Sequence, residues 1–435
     1  MSIAAEVKLW GSRVGVVLLE DGNRNALFQY DSKFTQSGIE IAPLMMPLAS
    51  EPYRFSDLPG ESFHGLPGLL SDSLPDKFGN DLINAWLASV GRSADSFNAV
   101  ERLCYTGKRG MGALEFEPAT GPNPMANESL QVGQLVELAS EILTNRGEWK
   151  TNILAGNDTD TMMNILQVGT SAGGARAKAV IAWHPHTNEI RSGQINAGDG
   201  FEYWLIKFDG VQNNRDKELA DPKGYGVIEY AYHQMAKDCG ITMSECRLFE
   251  EGGRRHFMTQ RFDRLPSGDK LHMQSLAAIA HLDFNMPGVY SYEQALGIMR
   301  RLELPTKTAG QLFRRMVFNI IARNQDDHVK NIAFLMNRQG NWSLAPAYDV
   351  TYSYQKSGQW TSSHQMTLGG KRDDFTMDDF VNCGKAAQLK RGQAQKIVEE
   401  IRAVVSRWRF YADAVGVLPD QRDKIQNTLR LKPFP

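Results

Sequence analysis

The sequence predicts an α+β chain: strands and helices mixed in the first part, mostly helices in the last. Three observations carry this. Short apolar or alternating runs bounded by Gly, Asn and Asp recur up to Phe262. After Leu271 the apolar residues fall mainly at three- and four-residue steps. No fixed-period repeat or low-complexity tract points to a solenoid or a fibre. For 435 residues the length prior is two or three domains. Three are expected, at 1–122, 123–264 and 265–435.

In chain order, Val7 to Trp10, Val14 to Leu19 and Ala26 to Tyr30 read as a hairpin or meander, punctuated by Gly11-Ser12 and Asp21-Gly22-Asn23. Helical spacing runs from Gly68 to Val90, with Pro75 near a helix start. RGMGALEFEP, 109–118, is a glycine-rich turn feeding a strand, and the polar TGPNPMANES after it suits a domain boundary. A helix is expected over 130–146, strands around 163–168, 178–183 and 202–208, a helix over 226–238, and a strand ending at Phe262. YEQALGIMRRL, AGQLFRRMVFNIIARN and GQAQKIVEEIRAVVSRWRFYADAVG supply the later helices.

Composition bounds the function. The chain is 42% hydrophobic, 9% aromatic and 23% charged, which argues against disorder, collagen-like fibres and disulfide scaffolds. A net charge of −2 gives no overall field for nucleic acid or an anionic membrane, although a local basic face is compatible with it. Cys104, Cys239, Cys246 and Cys383 are scattered, so neither a zinc site nor a disulfide framework is suggested. The first residues lack a cleavable signal pattern, and no run approaches the ~20 apolar residues of a membrane span. A soluble, cytoplasmic protein is the expectation.

Four segments carry chemistry. In VGTSAGGARAKAVI, 168–181, Gly169, Gly173 and Gly174 lie among small residues between β-like runs, where backbone N–H groups can approach phosphate oxygens. Alone this reads better as a flexible turn. In EYWLIKFDG, 202–210, Lys207 ends an apolar strand and suits a phosphate-binding ammonium; Glu229, on the helix that follows, could hold it in place. In NIIARNQDDHVKNIAFLM, 319–336, Asp326 and Asn331 have the interval of a kinase catalytic loop, where an Asp orients the attacking hydroxyl and an Asn holds magnesium. A hard cation with a phosphate requires oxygen ligands of this kind. In LAPAYDVTYSY, 344–354, Asp349 stands where a second metal carboxylate is needed.

With these segments in this order, the sequence resembles the HipA-type serine/threonine kinases of bacterial type II toxin–antitoxin modules, over nearly its whole length. DSLPD at 72–76 and RGMGALEFEP resemble the N-terminal subdomain of that family. TSAGGARAK, LIKF, TQRFDR, DDHVKN and APAYDV resemble its nucleotide loop, phosphate lysine, hinge strand, catalytic loop and metal aspartate. The implied fold is protein-kinase-like: a mixed α+β N-terminal lobe with an extra β subdomain, and a mostly helical C-terminal lobe. The implied cofactors are ATP and Mg²⁺.

The implied roles are Asp326 as catalytic aspartate with His328 supporting its loop, and Asn331 and Asp349 as metal ligands. ATP would be bound by Gly169, Ala172, Gly173, Gly174, Lys178, Lys207, Gln260 and Phe262. The loop departs from the family by carrying Arg176, and the hinge carries Gln260 where an acidic residue is common. Thr170 and Ser171 compete as the autophosphorylated residue, and counting back from Lys178 favours Ser171. Implied partners are a HipB-type antitoxin, operator DNA bound through that complex, and a protein substrate such as an aminoacyl-tRNA synthetase, with glutamyl-tRNA synthetase the best-known target. Lys385, near Lys390, Arg391 and Lys396, is the implied DNA contact; on the residues alone that run reads as a solvated helix face.

Three other readings share parts of this pattern. A small-molecule, aminoglycoside-type phosphotransferase has the same Asp, Asn and Asp. An inactive DNA-bound co-repressor would have no need of Lys207, Asp326, Asn331 and Asp349 together. A metal-dependent hydrolase built on Asp326, Asp327 and His328 leaves Lys207 and the glycine loop unexplained.

Overall fold

The computed structural model describes residues 2–121, 129–144, 165–166, 168–169, 176–194, 196–211, 215–216, 219–220, 224–265 and 267–435. The chain divides into two compact units. Unit one comprises Met1–Lys223, Phe249–Gln274 and Leu335–Asn341; unit two comprises Gly224–Leu248, Ser275–Phe334 and Trp342–Pro435.

Unit one opens with the expected meander. Ile3–Leu9 and Ser12–Leu19 pair antiparallel across Trp10-Gly11, and both turn residues have positive φ, the backbone a two-residue hairpin requires. Leu27–Tyr30 extends one edge, and Leu114–Glu117 pairs with Ile3–Leu9 on the other, with Val7 opposite Phe116. Gly15 is obligatory: a Cβ there would lie 2.2 Å from the Gln29 carbonyl oxygen. A second antiparallel sheet places Lys178–Trp183 between Ile190–Ser192 and Glu202–Lys207, and Arg254–Gln260 pairs with the latter. Its apolar face packs Ile181, Trp204, Ile206 and Met258 into one core with Leu135 and Ile142 of helix Val132–Thr144 and Phe78 and Leu82 of helix Lys77–Ser89.

One expected strand is corrected. Ile165, Leu166 and Val168 are helical, not extended, and all are buried. A short apolar run satisfies a buried helix turn as well as a strand, so periodicity could not separate the two.

Unit two is mostly helical, as the spacing predicts. Its described helices include Tyr225–Asp238, Tyr292–Arg301, Thr306–Ile321, Met377–Ala386, Gln393–Val405 and Trp408–Val415. Tyr232 anchors its centre, with its ring 5.2 Å from that of Trp408 and 6.0 Å from that of Phe318, and its hydroxyl donates to the Ala322 carbonyl at 2.7 Å. That bond fixes the C-terminal end of Thr306–Ile321, from which the DDHVKN loop departs.

Candidate active site

The catalytic-loop residues are positioned within unit two. Helix Thr306–Ile321 stops because Arg323 turns into the left-handed region (φ 58°) and Asn324 folds back, its N–H donating to the Asn319 carbonyl at 2.9 Å. The chain then runs extended to a short 3-10 turn, Val329–Asn331. Asn331 Nδ2 donates to the Asp326 carbonyl at 2.8 Å, which closes the loop on itself. Its Oδ1 accepts no hydrogen bond among the described residues. His328 Nε2 lies 3.7 Å from Asp326 Oδ1. The His328 ring packs on Phe284, over which Lys330 Nζ sits 4.3 Å from the ring centroid.

Two neighbouring aspartates are thereby separated in role. The Asp326 side chain is 20% exposed, whereas that of Asp327 is 1% exposed and accepts hydrogen bonds from three donors. Burial pushes the Asp327 carboxyl up, but His364, Tyr292 and the Gln365 N–H outweigh burial and hold it below the ordinary value. Of the two, the Asp326 side chain is the more exposed.

Asp349 adopts φ 52°, a left-handed backbone that costs free energy in a non-glycine residue and is common at functional sites. The turn is held by Tyr348, whose hydroxyl donates to the Lys330 carbonyl at 2.5 Å, and by Arg315 Nη2, which donates to the Ala345 carbonyl at 2.7 Å. One cavity is lined by Asn319, Asn324, His328, Asn331, Tyr348 and Asp349. The expected metal pair, Asn331 and Asp349, thus shares a single space. Among the described residues no group of three His, Cys, Asp or Glu side chains could hold a metal by itself. One carboxylate and one carboxamide suit Mg²⁺, which keeps its remaining positions for water and phosphate. Glu229 is buried on helix Tyr225–Asp238 of the same unit.

The nucleotide segments belong to unit one. Thr170, Ser171, Ala172, Gly173 and Gly174 lie outside the described residues. Gly169 is buried, and a Cβ there would lie 2.9 Å from the Ile165 carbonyl oxygen and 2.5 Å from Leu82 Cδ1, so local packing already favours a glycine. Lys178 is 2% exposed and its Nζ lies 2.9 Å from Asp76 Oδ2. Lys207 is half-buried at the end of its strand, opposite both Lys178 and Phe257, and its Nζ is 5.7 Å from the Phe257 ring centroid. Gln260 and Phe262 are half-buried at the end of strand Arg254–Gln260 and just beyond it.

That strand end is locked by charge. Asp263 accepts from Arg261 Nη2 at 2.7 Å, Arg264 Nη1 at 2.8 Å and the Gly112 N–H at 2.7 Å. Burial opposes ionisation of Asp263, but the two guanidinium groups hold it far below the usual carboxylate range. Lys385, expected at a DNA contact, is exposed on helix Met377–Ala386 with Nζ 3.0 Å from Asn382 Oδ1. Sequence reasoning missed Asp76 as the partner of Lys178, and it missed Asp263, Arg315 and His364. Asp263 stood within the quoted TQRFDR, Asp76 at the end of DSLPD and Arg315 within a quoted helical run, while His364 stood in none.

Comparison with known proteins follows this geometry. A family model of the HipA N-terminal domain matches residues 5–117, and one of the HipA-like C-terminal domain matches 170–408. "Putative kinase Y4dM" of Sinorhizobium fredii is 25% identical over 229 residues, covering 48% of this chain and 52% of its own length. A "Putative kinase" of Haemophilus influenzae is 26% identical over 227 residues, covering 45% of this chain and 66% of its own. The chain therefore matches half to two thirds of these curated relatives. Among solved structures, the Shewanella oneidensis MR-1 toxin–antitoxin system HipA, with HipB and its operator DNA, matches with a TM-score of 0.66 at 15% identity, covering 97% of this chain and 94% of that one. The α+β architecture is accordingly the HipA fold. Among the described residues no helix is long and apolar enough to cross a membrane. With both family domains matched in order, the second over more than half of the chain, the chain belongs to the HipA family.

Proposed function

We propose that the chain is an ATP- and magnesium-dependent serine/threonine-protein kinase, the toxin of a HipA/HipB-type pair acting in the cytoplasm. The observation that carries this reading is the single cavity that collects Asn331 and Asp349 beside a loop whose Asp326 keeps its side chain partly exposed. The curated relatives named as kinases support the reaction class.

Asp326 would aim the substrate hydroxyl at the γ-phosphorus and take its proton as the new O–P bond forms and ADP leaves. His328, 3.7 Å away, would steady that carboxylate. Asn331 and Asp349 would hold magnesium, whose chemistry is to neutralise charge on the triphosphate. Lys207 would bind the phosphates, with Glu229 as its positioning partner. The loop from Gly169 through Ala172, Gly173 and Gly174 to Lys178 would cover them. Gln260 would meet adenine through its backbone, and Phe262 would line that pocket.

Thr170 or Ser171 would take a phosphate in cis. The proposed protein substrate is a translation factor of the aminoacyl-tRNA synthetase class, glutamyl-tRNA synthetase being the first to try. The Shewanella HipA, seen with HipB and operator DNA, supports an antitoxin partner and autorepression through that complex. Lys385 is the proposed phosphate-backbone contact. Against the hydrolase alternative, the Asp327 side chain is 1% exposed and its carboxylate is already engaged by Tyr292, His364 and the Gln365 N–H.

The test is intact mass and ADP release after incubation with Mg-ATP, alongside Asp326→Asn. One added phosphate in the parent and none in the variant is expected, and peptide mapping then separates Thr170 from Ser171. Nucleotide binding with neither phosphate nor ADP would favour small-molecule phosphotransfer. Absence of nucleotide binding would overturn the kinase reading.

A further inference from the structure

We propose that Asp327 and His364 are positioning residues that clamp the catalytic loop to the segment around residues 364–368, an inference that rests on the kinase reading of Asp326. Asp327 is next to Asp326 but is fully buried. Its carboxylate accepts from Tyr292 Oη at 2.6 Å, from His364 Nδ1 at 2.8 Å and from the Gln365 N–H at 2.8 Å. Each donor comes from an element outside the loop.

The protonation state of His364 follows from its other side. Its Nε2 lies 3.0 Å from Arg430 Nη1, and a guanidinium only donates. Nε2 is therefore the acceptor toward Arg430, and Nδ1 carries the hydrogen that is donated to Asp327. Arg430 is fixed in turn by Asp373 at 2.6 Å and by the Ile320 carbonyl at 2.7 Å, and Arg323 lies 3.7 Å from the same Asp373 carboxylate. Arg372 Nε donates to the His364 carbonyl at 2.5 Å. The segment is anchored further by Gly288, whose N–H reaches the Gln365 carbonyl at 2.8 Å, and by the Thr367 N–H, which reaches the Tyr290 carbonyl at 2.9 Å.

The consequence is mechanical. An ionised carboxylate saturated by three donors has one stable placement. Asp326, attached through a single peptide bond and tied through its carbonyl to Asn331, inherits that placement. Reaction geometry is unforgiving, since a misplacement of about 1 Å costs on the order of 10²-fold in rate. Only an imidazole of the right tautomer both donates to Asp327 and accepts from Arg430.

The test exploits amide geometry. His364→Asn places a side-chain N–H near the position of Nδ1 and keeps donation to Asp327. His364→Gln places its amide near Nε2 and loses that donation. In the full chain, His364→Gln is expected to lower kcat for phosphoryl transfer about 10–100-fold, as loss of an orienting partner does elsewhere. KM for ATP should stay close to its parent value, and His364→Asn should recover most of the rate. Hydrogen exchange of the amides over 325–331 should accelerate in His364→Gln and in Asp327→Asn, but not in His364→Asn.

Equal losses in the Asn and Gln variants, or unchanged exchange over 325–331 in both His364→Gln and Asp327→Asn, would overturn the clamp. The exchange arm needs no turnover. A parent protein that transfers no phosphate would sink the kinase reading, while the exchange result still decides the clamp.

Discussion

Asp76→Asn separates two jobs that one carboxylate performs. Asp76 Oδ1 accepts the Gly79 N–H at 2.6 Å and so caps helix Lys77–Ser89, while Oδ2 neutralises Lys178 at 2.9 Å. Asn caps a helix about as well as Asp, so the first job survives the change. The second does not. Lys178 is 2% exposed, and the variant removes the charged carboxylate that lies 2.9 Å from its Nζ. Breaking a buried ion pair by removing one partner costs about 3–5 kcal/mol. Lys178→Met should cost less, because the stranded carboxylate retains the Gly79 N–H. Replacing both partners removes the uncompensated charge, so Asp76→Asn with Lys178→Met should be nearer the parent than either sum implies.

The cycle is read from urea midpoints together with native-state hydrogen exchange at the amides of Lys77–Ser89, because one melting curve does not isolate one unit of a larger chain. A coupling of roughly 2 kcal/mol is expected. A coupling below about 0.5 kcal/mol, the scatter of independent sites, would refute the claim that the pair anchors the end of the glycine-rich segment.

Asp349→Asn keeps a residue that tolerates the left-handed backbone at φ 52° while removing the charge. ADP release titrated with magnesium should fall about 10²–10³-fold, and a parent-like rate would remove Asp349 from the metal site. His272 is fully buried with Nε2 3.1 Å from the Ile41 carbonyl, and burial depresses its pKa to about 4. Below its ordinary value of 6.5 the unfolded chain takes the proton first, so stability should drop by roughly 3 kcal/mol between pH 6.5 and 4. Urea midpoints across that window check it, and His272→Gln should flatten the decline. With an antitoxin and operator duplex present, Lys385→Ala should reduce the slope of log affinity against log salt by about 1, measured by fluorescence anisotropy.

The sequence was most legible where the chemistry is local. The interval between Asp326 and Asn331 marks a single short loop, and in the structure the Asn331 amide bridges its two ends. Periodicity located Thr306–Ile321 because its apolar residues lie on one face over many turns. Met377–Ala386 was legible only as a solvated helix face around Lys385, without bounds, although Thr376 and Asp379 form a capping box that announces that helix start. Long-range partners were illegible. Nothing local connects Asp327 with His364 or Asp76 with Lys178, since neither pairing leaves a spacing signature. Gly169 shows the opposite failure: its type fits a phosphate loop, yet the nearby Ile165 carbonyl already gives a packing reason for it.

The two motifs that look like labels of an N-terminal subdomain have a physical reason to stand where they do. DSLPD ends in Asp76, the counter-ion of Lys178. RGMG supplies the Gly110 and Gly112 carbonyls, which accept from Arg264 at 3.1 and 2.9 Å, and the Gly112 N–H, which donates to Asp263. Each motif is one half of a buried polar contact whose other half begins strand Lys178–Trp183 or follows strand Arg254–Gln260. Those strands flank Glu202–Lys207, which carries Lys207. Burial already pulls Arg264 down to about 10, so its charge persists at neutral pH only at the expense of desolvation that Asp263 and the glycine carbonyls offset. A buried guanidinium without such acceptors is destabilising by several kcal/mol. The first sheet and the nucleotide-side sheet are therefore interdependent within unit one. The N-terminal motifs act on the lysine strand by fixing its two neighbours.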